Sequence, residues 1–400
     1  MRSLPCLGRR SFLAGAIVGC GRAPRSNDAP PRPSASSPRE PPPTDAAAPP
    51  PRPAHALFEV YPALAATLPR APLARFPSTV EDASAVTRSL WIKRDDDFTR
   101  GAPPADPLGR IFGGGKVRKL ELYFGEARAQ NKRRIITTGG VGSNQALAVA
   151  LLGESLGFEV SLYLAPQPPS SLTAKNLAGD AASGAELRLF DSVTEAHARA
   201  TREARERRDV YVIPPGGTTP LGTLGFVNAG LELAEDVRAG RLPSPRRIYV
   251  ALGLGGSAAG LGIGCALAGL RTEIIGVRAS SPASVSAATL RAIHDETVAF
   301  ARARDPSFPT VKHENVRIDG RFVGGGYGVP TPAGDEAVAR GRSEGWELDV
   351  VYTGKALAAI LDDARASEAE PWLFWNTMSS RPVPSGAVPA AFRSFVRSSP

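Results

Sequence analysis

Four hundred residues, 42% apolar and 22% charged, are ordinary for a soluble protein of enzyme size and exceed what one compact core normally uses, so two domains, or one with an insertion, are expected. The formal charge of +9 is unevenly placed: residues 1–55 hold eight arginines against three acids, which leaves only +4 for the remainder. No dense basic run with interleaved aromatics occurs in the body, which sets nucleic acid aside, and no apolar run beyond residue 55 approaches the length of a membrane span.

The chain opens on "GRRSFLAGAIVGC", where Arg9 and Arg10 precede Phe12, Leu13 and a short apolar run that ends at Cys20. This resembles a twin-arginine export signal ending in a lipobox over residues 1–20, with Cys20 the residue that would be lipidated. The expectation is an exported protein, periplasmic or anchored to the membrane as a bacterial lipoprotein. Residues 21–55 follow with twelve prolines among Ala, Ser and Arg, a composition that cannot bury a core and should form an extended, disordered tether. Of the three cysteines, Cys6 and Cys20 belong to the signal, so Cys265 stands alone and neither a disulfide framework nor a cysteine-based metal site is available to the body.

From residue 56 on, short β-branched runs alternate with runs of helical spacing. "RRIITTGG", "FEVSLYL", "AELRLF", "RDVYVIPP", "RRIYVALG", "EIIGVRA" and "PWLFWNT" read as strands, while "NQALAVALLGESLG", "SVTEAHARATREARER", "GFVNAGLELAEDVRAG" and "GSAAGLGIGCALAGL" read as helices. The alternation is that of α/β architecture, parallel sheets flanked by helices.

Glycine-rich junctions carry the chemistry. "GGGKVRKLE" (113–121) delivers Lys116 to a helix start; a phosphate-binding P-loop would need glycine where Arg110 stands and a hydroxyl where Val117 stands, so the lysine is either solvated on a turn or presented for chemistry. "TTGGVGSNQALAVA" sets Ser143 at a helix N-cap with Asn144 and Gln145 in the first turn, a cluster able to hold a carboxylate. In "IYVALGLGGSAAGLGIG" a strand runs through Gly253, Gly255 and Gly256 to Ser257. A dinucleotide fingerprint fails there, because Ala258 takes the last glycine position and no acid follows about twenty residues on. Freed N–H groups at a helix N-terminus suit a phosphomonoester better. Finally, "YGVPTPAG" puts Tyr327 in a glycine-rich loop, and "LDVVYTGKALAAI" reads as a strand closed by Tyr352 and Thr353 just before a helix. Taken singly, each of these also reads as a tight turn, a cap or a packing aromatic.

In this order and spacing, "GGGKVRKLE", "GGVGSNQ", "GLGGSAAGL", "GGGYGVPTPAG" and "DVVYTGKAL" resemble the pyridoxal-phosphate enzymes of the 1-aminocyclopropane-1-carboxylate deaminase and D-cysteine desulfhydrase family, over residues 58 to 378. The resemblance implies a two-domain tryptophan synthase β-like fold (fold type II): a larger cofactor-binding domain of residues 56–118 and 229–400, a smaller one of 119–228 closing over the site, and a homodimer. It implies pyridoxal 5'-phosphate on Lys116 as a Schiff base, the lysine later moving protons. Gly255, Gly256 and Ser257, with Ala258 behind them, would cradle the phosphate. Asn144 would bond the ring hydroxyl and border the substrate, Ser143 and Gln145 would take the substrate carboxylate, and Ser143 could assist proton transfer. Tyr327 and Tyr352 would contact substrate and the Schiff-base nitrogen. Thr353, where the cyclopropane deaminases carry Glu, would face the ring nitrogen. A hydroxyl there suits α,β-elimination from a small amino acid, D-cysteine giving pyruvate, ammonia and hydrogen sulfide; a 1-aminocyclopropane-1-carboxylate deaminase, or a tethered relative that binds without efficient turnover, is the alternative. The sequence departs from the family at Gly115, at Ser379 and Ser380 where a glycine pair is usual, at Ala146, Leu147 and Ala148, and in an insertion at 99–111.

Overall fold

The computed structural model describes residues 55–98, 112–366 and 370–396. The expected export signal with Cys20, the insertion at 99–111 and the expected tether lie outside the described residues, save for the last residue of the latter: His55 is buried, its ring 4.0 Å from that of Phe58, and so belongs to the folded body.

Ten strands form two sheets. The first holds β1 (Val80–Asp82), β2 (Leu90–Arg94), β7 (Arg247–Leu252), β8 (Glu273–Arg278), β9 (Val316–Asp319) and β10 (Trp372–Asn376) in the order β1-β2-β10-β7-β8-β9. The second holds β3 (Arg134–Gly140), β4 (Glu159–Ala165), β5 (Glu186–Leu189) and β6 (Val210–Ile213) in the order β5-β4-β3-β6. Every pairing is parallel except β1 with β2. The central strands are buried along almost their whole length, Ile135 to Gly140 in β3 and all of β10, because helices cover both faces and leave no polar side to alternate with.

Eleven α-helices are described: α1 (Ala56–Val60), α2 (Pro62–Thr67), α3 (Val117–Ala129), α4 (Asn144–Ser155), α5 (Ser171–Ala182), α6 (Val193–Glu206), α7 (Pro220–Arg238), α8 (Gly256–Leu267), α9 (Ala287–Arg302), α10 (Pro332–Ser343) and α11 (Thr353–Ala366). Side-chain caps start many of them: Ser143, Ser170, Ser192, Thr219 and Ser286 each accept an N–H from the first turn of α4, α5, α6, α7 and α9. α7 and α8 pack backbone to backbone. A Cβ on Gly264 would stand 2.3 Å from the Val227 carbonyl oxygen, which is why α8 is built from small residues.

One expected strand is absent. Residues 348–352 are turn and extended chain running into α11, because the Asp349 carboxylate accepts the N–H groups of Val351 (2.9 Å) and Tyr352 (2.6 Å) and so bends the chain where β-branched residues suggest extension.

Candidate active site

β10 ends against the glycines that precede α3. A Cβ on Gly114 (φ +54°) would lie 2.4 Å from the carbonyl oxygens of both Thr377 and Met378, so only glycine lets the chain pass. Gly115 donates its N–H to Thr377 O at 3.1 Å, and a Cβ there would meet Thr377 Cγ2 at 3.0 Å and Phe226 Cζ at 3.2 Å. Thr377 and Phe226 thus fill the space that a side chain at position 115 would need.

The helix that follows is anchored by a buried ionic cluster. Arg118 donates to Asp95 (2.7 and 2.8 Å) and Glu232 (2.9 Å), and Trp375 Nε1 donates to the same Asp95 at 2.7 Å. α3 is thereby tied to β10, to α7 and to the segment after β2, and Lys116 and Lys119, three residues apart on another face, are turned together to a cavity of about 280 Å³.

Lys116, Ser143, Asn144, Gln145, Gly255, Gly256, Ser257, Ala258, Tyr327 and Tyr352 all line that cavity. Lys116 is partly buried and its amine has no hydrogen-bond partner among the described residues; burial pushes its pKa below the ordinary lysine value, with the nearby Asp349 carboxylate drawing it partly back. Ser143 Oγ accepts the N–H of Ala146 at 3.2 Å as the α4 cap, which leaves its hydroxyl proton to point elsewhere. Asn144 Oδ1 accepts from Asn176 Nδ2 at 2.8 Å, and Asn144 Nδ2 faces Met378 Sδ at 3.9 Å. Both amide atoms of Gln145 are buried and unpartnered. Tyr352 donates its hydroxyl to that of Tyr327 at 2.8 Å, the rings standing at 68°.

On the opposite wall Gly255, with φ +99°, turns β7 into α8 and exposes the first N–H groups of that helix. Lys119 Nζ and Thr223 Oγ1 approach Gly256 from the other side, and Thr223 Oγ1 has no partner. A glycine-edged helix N-terminus, the buried Lys119 and the free amine of Lys116 in one cavity fit a phosphorylated aldehyde: the anion has N–H donors to meet, and the aldehyde has an amine.

Comparison with known proteins decides the family. The model of the pyridoxal-phosphate dependent enzymes matches residues 106–377. The chain belongs to this family. The enzyme is 35% identical over 323 residues to nocardicin C-9' epimerase of Nocardia uniformis subsp. tsuyamanensis, covering 78% of this chain and 94% of the relative. It is 30% identical over 322 residues to D-cysteine desulfhydrase of Salmonella schwarzengrund, covering 76% and 88%. Among solved structures, that of an ACC deaminase homologue superposes with a TM-score of 0.65 at 28% identity, over 80% of this chain and 94% of that one. The enzyme has the type II fold of pyridoxal-phosphate enzymes, as its motifs implied.

Not every residue expected at the site reaches the cavity. Thr353 does not line the cavity: its hydroxyl accepts the Asp349 N–H at 2.9 Å and donates to Asp349 Oδ2 at 3.2 Å. In this arrangement its one proton goes to Asp349, and Asp349 is the acidic residue that lines the cavity. Near the end of β10, Met378 and Ser379 line the cavity, whereas Ser380 bonds the Asp96 carbonyl through both its N–H and its hydroxyl. Ser379 Oγ accepts the Gly113 N–H at 3.2 Å and stitches the glycine turn to the strand end. Ala146, Leu147 and Ala148 are fully buried in α4 and contribute core.

The sequence reading passed over Lys119. It is buried, donates to Gly216 O at 3.2 Å, and is pushed well below the ordinary lysine pKa by burial and by the charge of Lys116. A lysine in the first turn of a helix reads as solvated; the signal that could have found it is its spacing of three from Lys116.

Proposed function

We propose that the enzyme catalyses α,β-elimination on a small D-amino acid, with D-cysteine the first substrate to test. The Cα–H and Cβ–S bonds break, the thiol departs with a proton, and water converts the released enamine into pyruvate and ammonia. Bound pyridoxal phosphate supplies the electron sink that makes the Cα proton removable. Lys116 would hold the cofactor's aldehyde at rest and, as a free amine, would carry the Cα proton; its lowered pKa favours the neutral amine that can accept it. Gly255, Gly256 and Ser257 with Lys119 hold the phosphate, Asn144 orients the ring, and Ser143 and Gln145 receive the substrate carboxylate.

The observation that carries this reading is the tyrosine pair beside Lys116. Because Tyr352 donates to Tyr327, the Tyr327 hydroxyl proton is left free for the cavity, where it can protonate a departing thiolate. Burial raises the pKa of both phenols, which keeps them protonated and able to donate. In the same reading the residue 119–228 segment closes over the site, two chains pair, and Cys20 carries a lipid outside the cytoplasm. Size-exclusion chromatography and metabolic lipid labelling of Cys20→Ala test the last two.

A second reading, epimerisation at an amino-acid carbon, draws support from the 35% identical epimerase. It uses the same proton removal and needs no leaving group.

The test is the visible spectrum of the full chain and of Lys116→Ala with pyridoxal phosphate, followed by assay of pyruvate and sulfide with D-cysteine. A band that Lys116→Ala lacks, with both products, supports elimination. Solvent deuterium entering an amino acid without keto acid selects epimerisation. A band with neither leaves a binding protein, and no band refutes the role of Lys116.

A further inference from the structure

Lys355 is fully buried on α11, three residues after Tyr352, yet it does not line the cavity. Its ammonium donates to the carbonyl oxygens of Val323 and Val329, each at 2.9 Å. Those two carbonyls bracket the loop that carries Tyr327.

The loop cannot hold its own shape. Gly324, Gly326 and Gly328 have φ of +63°, +130° and +80°, conformations that glycine visits at no steric cost and leaves as readily. Among the described residues its one internal backbone hydrogen bond joins Val329 N to Gly326 O at 3.3 Å. Its outer neighbour is Gln167, 3.3 Å from where a Cβ on Gly328 would stand. A chain this free loses much entropy when ordered, and the contact that gathers both its ends is the Lys355 ammonium.

The other tyrosine is held rigidly by the same helix. Asp349 fixes the Tyr352 N–H at the mouth of α11, and Tyr352 and Lys355, three residues apart, lie on one face of it. One helix end therefore carries a fixed phenol and the clasp for the loop that bears its partner. We infer that Lys355 is a positioning residue that keeps the Tyr327 hydroxyl within reach of Tyr352. The inference rests on the elimination reading for its catalytic consequence, while the clasp itself does not depend on it.

The test uses the full chain as Lys355→Met, Lys355→Arg, Tyr327→Phe and the Lys355→Met/Tyr327→Phe double variant. Amide hydrogen exchange of the 323–329 segment is read without added cofactor and needs no turnover. Lys355→Met is expected to exchange there about tenfold faster or more, Lys355→Arg to recover much of the protection, and both to keep the cofactor's visible band. With D-cysteine, kcat of Lys355→Met should fall as far as that of Tyr327→Phe with KM little changed, and the double variant should be no slower than Tyr327→Phe. Unchanged exchange at the loop, or losses that multiply in the double variant, overturns the inference. If Tyr327→Phe keeps full kcat, the proton-donor reading fails while the exchange data still judge the clasp. Should Lys355→Met not fold, Lys355→Arg and Lys355→Gln carry the test: loop exchange and kcat must move together, and either moving alone refutes it.

Discussion

Lys119 Nζ stands 3.1 Å from the point that a Cβ on Gly256 would occupy, with Thr223 Oγ1 3.2 Å from that point. A buried cation thus faces the glycine edge of a helix N-terminus, and each is costly without an anion between them. Replacing Lys119 by Met should weaken pyridoxal-phosphate binding by about 10- to 100-fold, the worth of one charged hydrogen bond, in a titration followed by the visible band. Burial and the charge of Lys116 lower the Lys119 pKa, and a phosphate bound beside it should raise that pKa again. Wild-type affinity should therefore decline as pH rises, and the decline should be shallower in Lys119→Met. An unchanged affinity would mean that the helix N–H groups hold the phosphate alone.

Glu121, two residues further on, links stability to pH. Its Oε1 accepts the N–H groups of Leu73 (2.7 Å) and Ala74 (3.0 Å), but burial outweighs these and the Arg70 charge and pushes its pKa up to about 7. Between its ordinary value of 4.5 and that figure the folded protein keeps a proton that the unfolded chain has lost. This contribution is full below the ordinary value and is lost as pH rises through about 7, on the order of 3 kcal/mol in all. Glu121→Gln imitates the protonated form, so the wild-type Tm should fall relative to the variant between about pH 5 and about pH 8, by roughly 2–4 °C per kcal/mol. Parallel curves would show that Arg70 keeps the carboxylate ionised.

The sheets were legible because buried parallel strands are written as unbroken β-branched runs, as in Ile135 to Thr138, and because glycine must appear where β7 meets α8. The glycine turn before Lys116 was legible for the same reason: a strand end crowds Gly114, and no other residue fits. What escaped depends on contacts far apart in sequence. Lys119 is buried by the loop at Gly216 and by α8, neither visible from its own helix. Thr353 stands beside cofactor motifs, but a local choice of partner, Asp349 four residues back, takes its hydroxyl. The three-residue β1 and the four-residue β9 are too short to show a period, and "LDVVY" has strand composition but an aspartate that caps the following turn.

Stability and chemistry should separate on the two neighbours Arg118 and Lys116. The Arg118 guanidinium is buried between Asp95 and Glu232, with the Phe76 ring 4.8 Å away. Arg118→Met strands two buried carboxylates and should cost about 3–5 kcal/mol in denaturant unfolding. Lys116→Ala removes an amine with no hydrogen-bond partner and should change unfolding without cofactor by less than about 1 kcal/mol while abolishing the visible band. Comparable losses in both would mean that the ion cluster contributes no more than a surface pair.

Met378 lines the cavity beside the tyrosine pair, where the proposed elimination would seat the substrate side chain. Its Sδ faces the Asn144 amide at 3.9 Å, and it packs with Leu172, Val351, Tyr327 and Tyr352, so the wall beside the tyrosine pair is apolar. Among the charged residues that line the cavity, the proposed reading gives Lys116 and Lys119 to the cofactor, and Asp349 is engaged by backbone N–H groups, which would leave no counter-ion for a charged side chain. An uncharged β-substituent is therefore favoured, and its size is limited by the Met378 methylthioether. Met378→Ala should lose roughly 2–3 kcal/mol of stability, because the side chain is largely buried. It should also raise kcat/KM for S-methyl-D-cysteine relative to D-cysteine by about tenfold or more, since one methyl group in an apolar pocket is worth about 1–3 kcal/mol. The competition is read from methanethiol and sulfide released from a mixture of the two. If the ratio stays where the wild type has it, the substrate side chain does not meet Met378.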